Sequence, residues 1–374
     1  MALELTGLTR EEQQRYSRHL MLPEIGSEGQ QRIKAARVLL VGAGGLGSPL
    51  ALYLAAAGVG TLGIVDDDNV EATNLQRQVL HDSSRIGTPK VESGRLRLTQ
   101  LNPYVEVVPY GVRLAPDNVE SIVKEYDLVA DGSDNFPTRY LVNDACVALE
   151  KVNVYGSVYR FDGQASVFDA RSGPCYRCLF PHAPPPGAAP SCADAGVLGV
   201  LPGIVGLIQA TEVLKLIARI GEPLIGRLLM FDALEMRFRE LKLAKDPDCP
   251  ACGSQVGRES LSDDYGAAAC FEITAAALKE SIARGDRFEL LDVREPAERD
   301  IAKLANTREI PLGELESRMD ELSSDVPIVV YCYSGARSAF AAQQLRAAGF
   351  ADVKNLSGGI LAWIDNVDPA LTRY

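Results

Sequence analysis

Two groups of residues in this 374-residue chain have types and spacings that could do chemistry: a glycine turn trailed by acids and cations, and a set of cysteines. Gly42, Gly44 and Gly47, with Gly45 between them, satisfy G-x-G-x-x-G. Such a turn lets a backbone approach phosphate at a helix N-terminus. Asp66 follows Gly47 by nineteen residues, placed to accept from a ribose hydroxyl. Alone, these residues describe a dinucleotide site such as a dehydrogenase uses. Downstream, Arg77 and Lys90 are cations suited to β- and γ-phosphates, and Asn74 and Gln78 add neutral donors. Asp134-Asn135 closes a later strand, where open α/β sheets bind ligands, and a carboxylate there suits Mg²⁺. Together these residues fit a triphosphate better than NAD.

The cysteines divide by context. Cys175-x-x-Cys178 and Cys249-x-x-Cys252 supply two thiolates each, the composition of a closed tetrahedral zinc site. Two such pairs in one domain favour zinc over a redox dithiol. Cys192 follows a Pro/Gly/Ala-rich loop, Phe180 to Ser191. It reads either as a small buried hydrophobe or as an exposed reactive thiol. Cys332 ends an apolar strand and opens Cys332-Tyr333-Ser334-Gly335-Ala336-Arg337, before a helical pattern. Backbone N–H groups, a helix N-terminus and the Arg337 cation would all lower that thiol's pKa and stabilise a persulfide anion. Cys146 reads as core and Cys270 as linker.

The elements that must position these groups alternate. Residues 10–34 have helical spacing, Arg37 to Val41 is an apolar strand, and Ser48 to Ala57 a helix with Pro49 in its first turn. Thr61 to Val65 and Tyr126 to Ala130 are further strands. This alternation predicts an α/β fold with a doubly wound, mostly parallel sheet, followed by a second, smaller α/β domain. The expected domains are 1–252 and 267–374, joined by a linker at 253–266. In the second domain, Phe271 to Gly285 reads as a helix, and Phe288 to Val293 and Val326 to Cys332 as strands. A net charge of −12 argues against nucleic-acid or anionic-membrane binding. The start of the chain shows no signal-peptide pattern, and the longest apolar run, Ala195 to Ala210, is broken by Pro202. A cytoplasmic protein with reduced thiols is the expectation.

With Gly42 to Gly47, Asp66-x-Asp68, Asn74-Leu75-Gln76-Arg77-Gln78, Pro89-Lys90 and Asp134-Asn135, the region from about 10 to 252 resembles the ThiF/MoeB/HesA family. These are E1-like enzymes that adenylate the C-terminal glycine of ubiquitin-like sulfur carriers. The resemblance implies that Gly45, Asp66, Thr73, Asn74, Leu75, Gln76, Arg77, Lys90, Asp134 and Asn135 line ATP, with Asp134 holding Mg²⁺. It implies that Arg18 reaches the ATP of a partner subunit, hence a homodimer. The MoeB branch carries the same cysteine pairs, and Cys192 matches a position linked covalently to the carrier.

Residues 267–370 resemble rhodaneses through C-x₄-R, Asp292-Val293-Arg294-Glu295 and Leu356-Ser357-Gly358-Gly359. Phosphatase-like loops are one residue longer, C-x₅-R. The usual His-Ile-Pro-Gly-Ala segment is replaced here by Ala305 to Pro311. The combined resemblance implies adenylation of a carrier ending in Gly-Gly, then sulfur transfer from Cys332. The sulfur donor would be thiosulfate or a cysteine desulfurase. Cys192 would hold a thioester or resolve a disulfide. The alternative is an E1 for ubiquitin-like conjugation through Cys192, without sulfur transfer.

Overall fold

The computed structural model describes residues 7–182, 196–253 and 272–374. They fall into two compact units, each built on one sheet. Most of the linker expected at 253–266 lies outside the described residues, as do Cys192 and Cys270.

In the first unit, β1 (Arg37–Val41), β2 (Thr61–Val65), β3 (Glu106–Tyr110), β4 (Leu128–Asp131) and β5 (Val152–Tyr159) run parallel. Then β6 (Asp162–Phe168), β7 (Arg227–Asp232) and β8 (Arg237–Lys242) continue the sheet antiparallel. The order is β3-β2-β1-β4-β5-β6-β7-β8. The pleat of β1 explains its unbroken apolar sequence. Val38 and Leu40 enter a core with helices Gly26–Ala35, Gly47–Ala57 and Leu201–Ala218. Leu39 and Val41 enter the opposite core with Val119–Val123 and Phe136–Ala148. A strand covered on both faces has no polar side to show. Each fully buried large aliphatic side chain contributes about 1.5–3 kcal/mol.

Helix Leu201–Ala218 is long and apolar enough to cross a membrane by length and composition. Here it is a core helix lying on β5 and β6. Its Gln209 Nε2 donates to the carbonyls of Asp131 (2.7 Å) and Val154 (3.0 Å), at the ends of β4 and within β5. The antiparallel half of the sheet was not legible in the sequence. The β5–β6 turn is Arg160-Phe161, without the Asn-Gly or Asp-Gly signal of tight hairpins, and Arg160 itself takes φ +53°.

In the second unit, β9 (Glu272–Ile273), β10 (Glu289–Asp292), β11 (Thr307–Glu309), β12 (Ile328–Tyr331) and β13 (Val353–Leu356) are all parallel, in the order β11-β10-β12-β13-β9. Leu291, Val330 and Cys332 face one core with helix Ala336–Ala347. Leu290, Val329 and Tyr331 face the other, with Ala275–Arg284 and Gly359–Asn366. The helix expected from Phe271 begins only at Ala275. Glu272–Ile273 instead pair with β13, and Thr274 caps the helix by accepting from Ala277 N at 3.2 Å.

Both sheets change winding direction beside a central strand, and the chemistry-bearing loops leave the carboxyl ends there: after β1 and β4, and after β10 and β12. At the first of these points there is no room for side chains. A Cβ on Gly47 would lie 1.9 Å from the Gly42 carbonyl oxygen. Gly42 takes φ +92°, and a Cβ there would lie 3.1 Å from Gly132 O. Gly47→Ala should therefore destabilise the unit by more than about 2 kcal/mol in chemical denaturation. Gly203→Ala, in a helix with open space around it, should instead stabilise it by about 0.5–1 kcal/mol.

Candidate functional site

The turn after β1 is held from several sides. Asp66, at the end of β2, accepts from Ala43 N through Oδ2 (2.8 Å) and from Asp68 N through Oδ1 (2.9 Å). Burial raises its carboxyl above the usual range, against the pull of Lys90 and these two amides. His81, buried, donates from Nε2 to the Ala43 carbonyl (2.9 Å), so its Nδ1 accepts from Ser93 Oγ (2.9 Å). The segment from Thr73 to Gln78 leans over the turn. Arg77 Cγ lies 3.6 Å, and Pro202 Cβ 3.0 Å, from where a Gly45 Cβ would be. Gln78 Nε2 lies 3.6 Å from the equivalent point on Gly44, and its Oε1 is buried without a hydrogen bond among the described residues. Ser48 Oγ, fully buried in the first turn of the following helix, also has none. Two orphaned polar atoms beside a helix N-terminus suit a polar, anionic ligand.

The cations are already engaged. Lys90 is only 5% exposed, with Nζ 2.7 Å from Asp68 Oδ2 and 3.9 Å from Asp66 Oδ1. Arg77 donates to Asn74 Oδ1 at 2.9 Å and to Thr73 O at 3.4 Å. Thr73 and Asn74 lie in a 3₁₀ turn, Leu75 follows it, and Gln76 packs against Gly199. Beyond β4, Asp134 and Asn135 are exposed, and Asn135 caps helix Phe136–Ala148 by accepting from Thr138 N at 3.0 Å. Arg18 stands apart in helix Ser17–Leu20. It is exposed, with its guanidinium 3.7 Å from Met21 Sδ, and no hydrogen bond joins it to the turn among the described residues.

The two C-x-x-C pairs converge. The sulfurs of Cys175, Cys178, Cys249 and Cys252 all lie within 4.8 Å of one another, so the cluster could hold a metal ion. Distances of 3.6 Å (Cys175–Cys249), 3.4 Å (Cys178–Cys252) and 4.0 Å (Cys175–Cys178) bracket the spacing of about 3.8 Å in a tetrahedral zinc site. Burial raises Cys252 to about 12. At Cys178 burial is outweighed by amide donors from Asp246 and Cys175, and the thiol is lowered. The knuckle also grips the helix that starts at Asn135. Asn143 Oδ1 accepts from Tyr176 N (2.8 Å), and Asp144 takes Arg177 in a two-bonded pair (2.7 and 2.7 Å).

In the second unit, Cys332 is fully buried at the end of β12. Its Sγ accepts from Gly335 N at 3.2 Å and lies 3.3 Å from Ser338 Oγ, whose one proton is shared with Gly335 O at 3.1 Å. The loop's carbonyls turn the other way: Cys332 O and Tyr333 O accept from Ile360 N (2.8 Å) and Leu361 N (3.2 Å). That docking requires Gly359, where a Cβ would lie 2.4 Å from Tyr333 O. Arg337 lies in the first turn of the helix that follows the loop. Its guanidinium makes a two-bonded pair with Glu298 (2.8 and 2.6 Å), which balances its charge. The Tyr374 hydroxyl accepts from Arg294 (2.6 Å) and lies 3.5 Å from Glu298. Arg294 is itself fully buried against Asp292.

Sequence reasoning missed His81, Asp131, Arg139, Glu298 and Ser338. Only Arg139 left a signal: it stands in a largely apolar helix with no acid three or four residues away. The others lie within loops or beside motifs and reveal themselves only through their partners.

The ThiF family model matches residues 16–251, and the rhodanese-like domain model residues 274–366. The chain is 47% identical over 380 residues to the probable adenylyltransferase/sulfurtransferase MoeZ of Mycobacterium tuberculosis, covering 99% of this chain and 97% of that one. It is 54% identical over 260 residues to the sulfur carrier protein adenylyltransferase of Thermus thermophilus, covering 68% of this chain and 96% of that one. Among solved structures, E. coli MccB with MccA-N7isoASN aligns with a TM-score of 0.58 at 23% identity, over 64% of this chain and 75% of that one, a likeness of fold.

Burial depresses the pKa of His81 below its ordinary 6.5. Between the folded and unfolded values the unfolded chain binds more protons, so stability falls as pH drops below about 6.5 and levels off below the folded pKa. His81→Gln should flatten the fall in stability as pH drops below about 6.5, measured by denaturation across a pH series.

Proposed function

This chain belongs to the ThiF family and also carries a rhodanese-like domain, and from that premise we propose that it activates and then sulfurates a carrier protein. It adenylates the C-terminal glycine of a ubiquitin-like sulfur carrier with ATP, and sulfur from a Cys332 persulfide converts that glycine to a thiocarboxylate. The reading rests above all on the close approach of Gly42 to Gly132. It sets the glycine turn after β1 beside the turn that carries Asp134.

In this reading the amides of the Gly42–Gly47 turn receive phosphate and Asp66 accepts from the ribose. Arg77 and Lys90 neutralise the outer phosphates, Lys90 leaving the mostly exposed Asp68 to do so. Thr73 to Gln76 and Asn135 complete the wall. The exposed carboxylate of Asp134 is a hard oxygen donor that fits Mg²⁺, which bound there would offset phosphate charge. Arg18 serves the ATP of the other subunit in a homodimer. The chemistry is positioning and charge neutralisation: the carrier's carboxylate oxygen attacks the α-phosphorus, and pyrophosphate departs. Four thiolates at zinc-site spacing fit Zn²⁺ in a closed, structural site.

The second stage belongs to Cys332. The Gly335 amide and Ser338 hydroxyl surround its sulfur with donors, which suits a persulfide anion. The terminal sulfur attacks the acyl carbon, AMP departs, and an acyl disulfide forms. A second thiol then reduces it, releasing the thiocarboxylate and a disulfide. Cys192 is the candidate for that thiol, or for an intermediate thioester. The sulfur comes from thiosulfate or a cysteine-desulfurase persulfide, and the setting is the cytoplasm, where thiols stay reduced.

Two measurements test this. Intact mass spectrometry of a Gly-Gly carrier incubated with the protein, ATP, Mg²⁺ and thiosulfate should show sulfur replacing one oxygen. Cys332→Ala should abolish that shift while pyrophosphate release continues; a shift that survives it would overturn Cys332 as the sulfur donor, and pyrophosphate release with no shift from the unaltered chain would leave conjugation through Cys192 as the better reading. Elemental analysis should find one zinc per chain, lost in Cys178→Ser.

A further inference from the structure

We propose that Arg139 and Asp131 are positioning residues that clamp the Ser133 backbone from both sides and so present Asp134 to the metal of a bound nucleotide. The proposal rests on the ATP-site reading above. Asp131 Oδ1 accepts from Ser133 N at 2.9 Å, and Arg139 donates from its guanidinium to Ser133 O at 3.1 Å. The residue just before Asp134 thus has both backbone polar groups held by the side chains of Asp131 and Arg139. Asp131 is fully buried and Arg139 is 7% exposed. Gln209 fixes the carbonyl of Asp131 itself, at 2.7 Å.

The arrangement is costly for a merely structural contact. Desolvating a guanidinium costs several kcal/mol, and an apolar side chain of similar length would fill the space without that cost. Arg139 is one turn into helix Phe136–Ala148, yet its charge turns back toward the loop, stacked near Phe136 (5.5 Å) and Tyr155 (5.7 Å). Asp131 Oδ2 has no hydrogen bond among the described residues. The clamp therefore hangs on one amide and one carbonyl of Ser133, whose orientation sets the direction in which Asp134 leaves the strand. A ligand whose donor is held in place before binding loses less freedom on binding.

The full chain is titrated calorimetrically with Mg·ATP and, separately, with AMP in chelator. Arg139→Met should weaken Mg·ATP binding by roughly tenfold or more while AMP binding stays within about twofold. In an Asp134→Ala background, Arg139→Met should cost nothing further, because the clamp acts through that carboxylate. Arg139→Lys keeps one donor and should lose about threefold, again for Mg·ATP alone; this variant decides the matter if Arg139→Met does not fold. Equal losses for both ligands, or losses that add to that of Asp134→Ala, would overturn the clamp and leave Arg139 a core residue. If the unaltered chain binds neither ligand, the ATP reading fails and the clamp with it. If it binds Mg·ATP and Asp134→Ala does not weaken that binding, the ATP site stands but the proposal is overturned.

Discussion

Two stretches of backbone meet at the carboxyl end of the first sheet with no space for a side chain between them, and the first site depends on that contact. The Gly42 carbonyl lies against the start of the next helix, where only Gly47 fits, and the Gly42 turn lies against Gly132. A parallel sheet leaves its strand ends at one edge, and the change of winding direction opens a crevice there. Asp66, His81 and the 73–78 segment are arranged around the contact, each holding or covering one part of the turn. The second sheet solves the same problem with different parts. Gly359 lets a helix N-terminus take the carbonyls of the Cys332 loop, leaving its Gly335 amide to face the sulfur.

Charge is distributed by the same logic. The chain is acidic overall, yet three of its buried cations are paired individually, Lys90 with Asp68, Arg294 with Asp292 and Arg337 with Glu298, as is the half-buried Arg177 with Asp144; buried Arg139 instead donates to a backbone carbonyl. Buried pairs seldom add net stability, because desolvation offsets attraction. Their effect is to fix where a segment lies. Arg177 ties the cysteine knuckle to the helix behind Asp134, and Arg337 ties the first turn after the Cys332 loop to Glu298. An ammonium paired with an exposed carboxylate, as Lys90 is with Asp68, is the exception, because its partner is open to solvent.

Much of the parallel framework was legible because strands buried on both faces have a continuous apolar signature, as β1 and β2 do. The antiparallel strands were not. Their turns lack the glycine and asparagine signals, and β8 is exposed along its whole length, so no single periodicity marks it. The cysteine pairs were readable from spacing alone, since each C-x-x-C is a local unit. Arg337 shows the limit of that method: C-x₄-R locates an arginine near a cysteine but does not name its carboxylate partner, Glu298, which comes from a separate short helix, Pro296–Arg299.

Local chemistry was thus set by the sequence itself: glycines where φ is positive or a backbone approaches, apolar runs where both faces are covered, cysteines in pairs at knuckle spacing. These depend on neighbours a few residues away. What the tertiary structure decided was convergence across long separations: Cys175 with Cys249, Asn143 with Tyr176, and Gly42 with Gly132. Side-chain direction, and hence which charge neutralises which, follows from packing that no local spacing encodes. The glycine turn could be found by reading the chain; that it stands beside Asp134 is a property of the sheet.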